Sequence, residues 1–89
     1  MGLKKLRYEI DKLDLQLLQL LNERAQLSLQ VGKEKLKLKL PIYNQKREEE
    51  VIKNLTKQNK GPFPPEHVVS IFQVIIDSCR TIQQTQKGM

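Results

Sequence analysis

The stretch LKKLRYEIDKLDLQLLQLLNERAQLSLQVGKEKLKLK (Leu3–Lys39) has apolar residues at Leu3, Leu6, Ile10, Leu13, Leu17, Leu20, Leu27 and Val31. Up to Leu20 the intervals alternate between three and four residues, the repeat of a heptad seam. No proline interrupts the run before Pro41, and Gly32 weakens a helix without stopping it. The spacing predicts one helix of about 37 residues, roughly 55 Å long at 1.5 Å per residue. An element of that length outreaches the rest of an 89-residue chain. Small chains bury little core alone, so pairing with a second copy is the natural cover for the seam.

Downstream, Pro41 breaks the helix and Asn44 is a plausible N-cap for QKREEEVIKNLTKQ. Val51, Ile52 and Leu55 give that segment a short apolar face, which predicts a second helix over 44–59. KGPFPP (Lys60–Pro65) reads as a loop. A third helix is expected from Pro64 or Pro65 to about residue 86, with proline tolerated in the first turn. Val68, Val69, Ile71, Phe72, Ile75, Ile76, Cys79 and Ile82 are expected to form its wide buried face, and the tail QQTQKGM is expected to fray. The fold class is therefore all-α, with three helices in a single domain over 1–89.

Composition narrows the function classes. Charged residues make up 29% of the chain and only four residues are aromatic, which fits a helical domain better than a sandwich of strands. The net charge of +6 attracts anions such as nucleic acid, an acidic membrane or a small polyanion. The lone Cys79 excludes an intrachain disulfide framework and suggests a reducing, cytoplasmic setting. No run is long and apolar enough to span a membrane. The opening MGLKKLRYEIDKLD lacks the apolar core of a secretory leader.

Arg24 is the anomaly. Four residues beyond Leu20 and three before Leu27, it occupies a seam position where a leucine is due. A buried, unpaired guanidinium is costly, so it needs a partner. The sequence leaves three open: a carboxylate (Glu23, Glu48, or Asp14 of a second chain), solvent, or an anionic ligand. Arg7 and Lys35 lie a whole number of heptads apart and share one flank of the helix. Lys35 is about 16 Å from Arg24 along the axis, within reach across a ligand, whereas Arg7 is about 25 Å away. In an antiparallel pair of long helices, Arg7 of one copy would lie beside Arg24 and Lys35 of the other, giving two composite sites.

Taken together, ID-x-LD-x-x-LL-x-LL-x-x-R, V-G-x-x-K, P-I-Y-N-x-x-RE and IF-x-x-II-x-x-C-x-x-x-Q resemble the all-helical chorismate mutases (the AroQ class). The likeness runs from about Leu3 to Gln84. The GPF loop and SCRTIQQ resemble mutase domains fused to prephenate dehydratase or to the synthase that opens aromatic biosynthesis. The resemblance implies an intertwined homodimer that converts chorismate to prephenate by a [3,3] Claisen-type rearrangement. It implies that Arg7, supplied in trans, and Arg24 bind substrate carboxylates. Lys35 would contact the ether oxygen and a carboxylate, and Gln83 would donate to the ether oxygen. Arg47 matches the arginine of the RE pair, and Glu48 matches the glutamate near the ring hydroxyl. Asn44 stands where many members have aspartate and offers an amide in place of a carboxylate; Cys79 stands where others have serine and lacks its hydroxyl. The catalytic set is Lys35, Gln83 and Arg24, and no cofactor or metal is expected.

The charges also admit plainer readings: Lys35 belongs to the lysine-rich KEKLKLKL, KREEE suits a helix start, and Gln83 sits near a fraying end. Cys79 suits core packing, and His67 has no second metal ligand or nucleophile spaced to work with it. Nucleic-acid binding is disfavoured by interleaved acids and scarce aromatics. No phosphate-binding glycine motif is present. The rival reading is a regulatory or dimerisation domain of a fused biosynthetic enzyme that binds chorismate or prephenate.

Overall fold

The computed structural model describes residues 2–87, so the extreme ends of the expected domain, residues 1, 88 and 89, lie outside the described residues. Three helices follow in order: α1 (Gly2–Lys37), α2 (Gln45–Gln58) and α3 (Pro65–Lys87). The periodicities that predict them are those of 3.6-residue helices with apolar stripes. Among the described residues no helix is long and apolar enough to cross a membrane.

The punctuation between helices is residue-specific. α1 stops at Lys37, two residues short of the sequence expectation. Lys39 takes a left-handed backbone (φ 58°), its N–H donates to Leu36 O (3.2 Å), and Leu40 N–H donates to Lys35 O (2.8 Å). This is a Schellman ending with lysine in the place usually held by glycine. Asn44 caps α2, its side chain accepting from Arg47 N–H at 3.1 Å. Asn59 closes α2, and its side chain braces the proline-rich loop by donating to Phe63 O (2.8 Å) and accepting from Gly61 N–H (3.1 Å). Pro64 O then accepts from His67 N–H (3.0 Å) and starts α3 with Pro65 in the first turn.

α3 packs against both α1 and α2, whereas α1 and α2 make no close backbone approach to each other. Among the described residues the buried apolar core consists of Val68, Ile76 and Cys79, all on α3. Val69 and Ile71, expected inside, are exposed; the face toward the other helices is narrower than the sequence suggests. The tail expected to fray is instead helical through Lys87, and Gln83 within it is buried.

The chain alone is extended, measuring 55 × 28 × 14 Å with a radius of gyration of 16.1 Å, against about 12 Å for a compact chain of this length. The cause is α1. Its half-buried residues, including Leu21, Arg24, Ala25, Ser28, Gly32 and Lys35, face α3 in its distal half. Its seam stays open: Leu6, Leu13 and Leu20 are each about 60% exposed. Arg24 sits on the border between these two stripes, with Leu20 and Leu27 on one side and Leu21 and Ser28 on the other.

Candidate active site

A cavity of about 300 Å³ opens where the distal half of α1, the Ile42–Asn44 loop, the start of α2 and the C-terminal half of α3 converge. Its size suits a small molecule. α1 contributes Arg24, Ser28 and Lys35, spaced so that they rise along one helix face. The loop and α2 contribute Asn44, Arg47 and Glu48, and α3 contributes Cys79, Arg80 and Gln83. Leu27, Val31, Ile42, Val51 and Ile76 complete an apolar wall.

Seven of the eight residues singled out from the sequence, Arg24, Lys35, Asn44, Arg47, Glu48, Cys79 and Gln83, line this one cavity. Arg7 does not. It lies 17 residues before Arg24 on the same straight helix and is exposed.

Arg24 Nη1 donates to Cys79 Sγ at 3.1 Å. Of the carboxylates considered within the chain, neither Glu23 nor Glu48 pairs with Arg24; Glu48 is held by Arg80. A thiol is a weak acceptor, so most of the hydrogen-bonding capacity of Arg24 remains uncommitted. Lys35 Nζ donates to Ile42 O at 2.6 Å, which ties α1 to the loop and fixes the ammonium group at the cavity edge. Arg47 is exposed and only loosely paired with Glu50, at 3.8 Å. Asn44 has its side-chain oxygen committed to the helix cap.

Sequence reasoning missed two lining residues, Arg80 and Ser28. Arg80 Nε and Nη2 each bond the Glu48 carboxylate at 3.0 Å, Nη2 also reaches Asp77 at 2.7 Å, and the guanidinium lies 4.8 Å from the centre of the Tyr43 ring. The hydrogen bonding that Arg80 donates to Glu48 is the main reason its pKa rises above the ordinary value; partial burial opposes the rise and the Glu48 and Asp77 charges add to it. No sequence spacing links Arg80 to Glu48, since the pair forms only when α3 packs on α2. Ser28 was legible: it lies one helical turn beyond Arg24 and one before Gly32, on the face that the seam break announces. Its Oγ meets the Gln83 amide, Nε2 to Oγ being 2.5 Å, and donates weakly to Cys79 O at 3.4 Å.

The four cations Arg24, Lys35, Arg47 and Arg80 face one carboxylate, Glu48. The formal excess of three positive charges suits an anion with more than one charge, and Glu48 offers an acceptor for a hydroxyl. The described residues include no nucleophile paired with a base and no group of three or more His, Cys, Asp or Glu placed to hold a metal ion. The arrangement can bind, orient and stabilise charge.

Comparison with known proteins agrees with this reading. A family model described as chorismate mutase type II matches residues 6–84. The chain is 42% identical over 89 residues to a bifunctional chorismate mutase/prephenate dehydratase of Aquifex aeolicus, and 38% identical over 90 residues to that of Pseudomonas aeruginosa. Each alignment covers 96% of this chain but 25% of the relative, so the chain spans about a quarter of the length of these curated relatives. Among solved structures, chorismate mutase (form II) from Thermus thermophilus superposes with a TM-score of 0.91 at 37% identity, covering 93% of this chain and 94% of that one. Chorismate mutase from Helicobacter pylori in complex with prephenate gives 0.84 at 30% identity, covering 92% and 89%.

Proposed function

Because the chain belongs to the chorismate mutase type II family, we propose that it isomerises chorismate to prephenate in the cavity between its three helices. The observation that carries this reading is the gathering of Arg24, Lys35, Glu48 and Gln83 around one small, cation-rich cavity.

The reaction is a unimolecular [3,3] rearrangement. The ether C–O bond breaks, a C–C bond forms, and no proton, hydride or electron is exchanged with the protein. The site has two tasks: to hold a flexible dianion in its compact, reactive conformer, and to stabilise the negative charge that grows on the ether oxygen as C–O cleavage leads. Arg24 holds a substrate carboxylate through forked hydrogen bonds, the geometry for which guanidinium is suited. Lys35 and Gln83 address the ether oxygen, and Lys35 also reaches a carboxylate. Glu48, oriented by Arg80, accepts from the ring hydroxyl. Arg47 and Asn44 close the α2 side, and Cys79 fills the wall behind Arg24.

The assembly in this reading is an intertwined homodimer. The open Leu3–Val31 seam, the length of α1 and the large radius of gyration support it. Antiparallel pairing of two α1 helices brings Arg7 of one copy to the cavity of the other, where it takes the second carboxylate. The setting is the cytoplasm.

The relatives' bifunctional names and the quarter-length match favour a second reading, in which the chain is the mutase-like part of a larger assembly and serves mainly to bind chorismate or prephenate and control a neighbouring enzyme. Loss of chorismate absorbance, followed with purified wild type, Arg24→Ala and Lys35→Ala, separates the two. Rapid loss in the wild type and collapse in both variants supports the mutase. A folded wild type that binds chorismate without turnover supports the regulatory module.

A further inference from the structure

Gln83 is the one buried polar residue among those described, 9% exposed near the C-terminal end of α3. Two residues of α1, one helical turn apart, enclose it. Gly32 lets the stem of the glutamine lie on the α1 backbone: a Cβ added there would come within 3.1 Å of Gln83 Cγ and 3.4 Å of its Cβ. Ser28 meets the amide head at 2.5 Å. The other end of the amide, Oε1, is buried without a partner among the described residues.

The two ends of a carboxamide are nearly equal in size and exchange by a half-turn about the last side-chain bond. They are chemically opposite, however, and the site needs one of them. With Nε2 on Ser28, the end left for a substrate is an acceptor, which repels an oxygen gaining negative charge. After the half-turn, Ser28 Oγ–H donates to Oε1 and the NH₂ group is left to donate. Ser28 can serve either arrangement, since a hydroxyl both donates and accepts; the need for a donor at the ether oxygen selects the second. Ser28 loses little by releasing Cys79 O, because that contact is 3.4 Å long and the carbonyl already accepts the α-helical bond from Gln83 N–H.

We propose that Ser28 is a positioning residue: its hydroxyl donates to Gln83 Oε1 in the productive orientation and thereby turns the Gln83 NH₂ group toward the ether oxygen. The proposal rests on the mutase reading above. Ser28 lines the same cavity, but in this arrangement its hydroxyl acts through the Gln83 amide. Gly32 supports the arrangement by presenting no side chain where the glutamine stem lies against α1.

The test is steady-state chorismate turnover across pH with wild type, Ser28→Ala, Gln83→Ala, Gln83→Glu and the Ser28→Ala/Gln83→Glu double variant, each checked for helical content and dimerisation. Ser28→Ala is expected to lower kcat about tenfold with KM changed less than about twofold, since donor alignment matters most in the transition state. Gln83→Glu donates only when protonated, so its activity is present at low pH and lost as pH rises through the pKa of the new carboxyl. A hydroxyl donating to the carboxylate lowers that pKa. Removing it in the double variant is therefore expected to move the activity limb to higher pH by about one unit. A merely structural serine leaves the limb where it is, and coincident limbs overturn the proposal. So does an unchanged kcat in Ser28→Ala alongside an active wild type that collapses in Gln83→Ala; this result leaves the mutase reading standing. Absence of turnover in the folded wild type overturns both.

Discussion

Arg80 on α3 and Glu48 on α2 are joined by two parallel hydrogen bonds, each 3.0 Å long, with the guanidinium laid against the Tyr43 ring. Their side chains are 24% and 17% exposed, enough enclosure for the pair to fix the carboxylate rather than merely decorate the surface. The pair couples packing to chemistry. It staples α3 to α2, and it aims an acceptor at the cavity while keeping Glu48 from competing for Arg24.

Arg80→Gln is expected to destabilise the fold by about 1–2 kcal/mol, the range for losing charge-assisted hydrogen bonds in a partly screened setting. It is also expected to raise KM more than it lowers kcat, because Glu48 is then free to fold back onto Arg24. Arg80→Lys should not restore KM, since an ammonium group cannot reproduce the fork. Denaturant titration and steady-state kinetics on the same preparations check both halves.

Arg24→Ala and Lys35→Ala are each expected to reduce kcat/KM by at least about a hundredfold, on the order of 3 kcal/mol of transition-state stabilisation; Arg24→Ala is expected to cost little stability, whereas Lys35→Ala also loses the tie to Ile42 O. Arg24 gives up only a thiol contact in the folded chain, so its removal leaves no buried partner charge behind. Arg24→Lys should recover little, because the forked grip on a carboxylate is lost. Near-normal turnover in either alanine variant would remove that residue from the site.

Most of the helices and much of the site were legible in the sequence, for identifiable reasons. The 3.6-residue period fixed the helices, Pro41, Asn44 and GPFPP fixed the breaks, and Arg24 announced the cavity by displacing a leucine from the seam. What was not legible depends on packing. Val69 and Ile71 carry the same apolar signal as Ile75 and Ile76, and only the approach of α1 and α2 decides which are covered. Gln83 lies in a polar tail that reads as fraying, and only its seat against Ser28 and Gly32 buries it. Arg80 gained meaning once α3 lay on α2.

The end of α1 offers a local test. Lys39 bears backbone strain at φ 58° to complete the Schellman ending, a conformation glycine takes freely. Lys39→Gly is expected to stabilise the protein by about 0.5–1 kcal/mol, the strain relieved exceeding the entropy added to the unfolded chain. Thermal unfolding should show a higher midpoint with turnover unchanged. A lower midpoint would mean that the lysine side chain contributes more than its backbone costs.

The reaction needs no titrating donor if Gln83, rather than an acid, addresses the ether oxygen. Arg80 is held protonated above its ordinary pKa, so the brace on Glu48 loses no charge on the arginine side anywhere near neutrality. The rate of the wild type is therefore expected to vary little between mildly acidic and neutral pH. A rate that requires a group to be protonated near pH 5 would contradict the assignment of Gln83.

The placement of Arg7 makes the strongest demand on the assembly. On its own chain Arg7 lies about 25 Å from Arg24 along α1, so it reaches a cavity only from a second copy. Arg7→Ala and Arg24→Ala are each expected to be nearly inactive. Mixed, unfolded together and refolded, they should regain activity. In a heterodimer, one site combines both damaged residues and the other has both arginines intact. Random pairing makes about half of the dimers mixed, with one good site in two, so recovery should approach about a quarter of the wild-type rate. Leu13→Glu, which puts a charge into the open seam, should abolish both dimerisation and recovery. Recovery absent from a mixture that refolds to dimers would place Arg7 outside the site. Full activity of Arg7→Ala alone would do the same without any mixing.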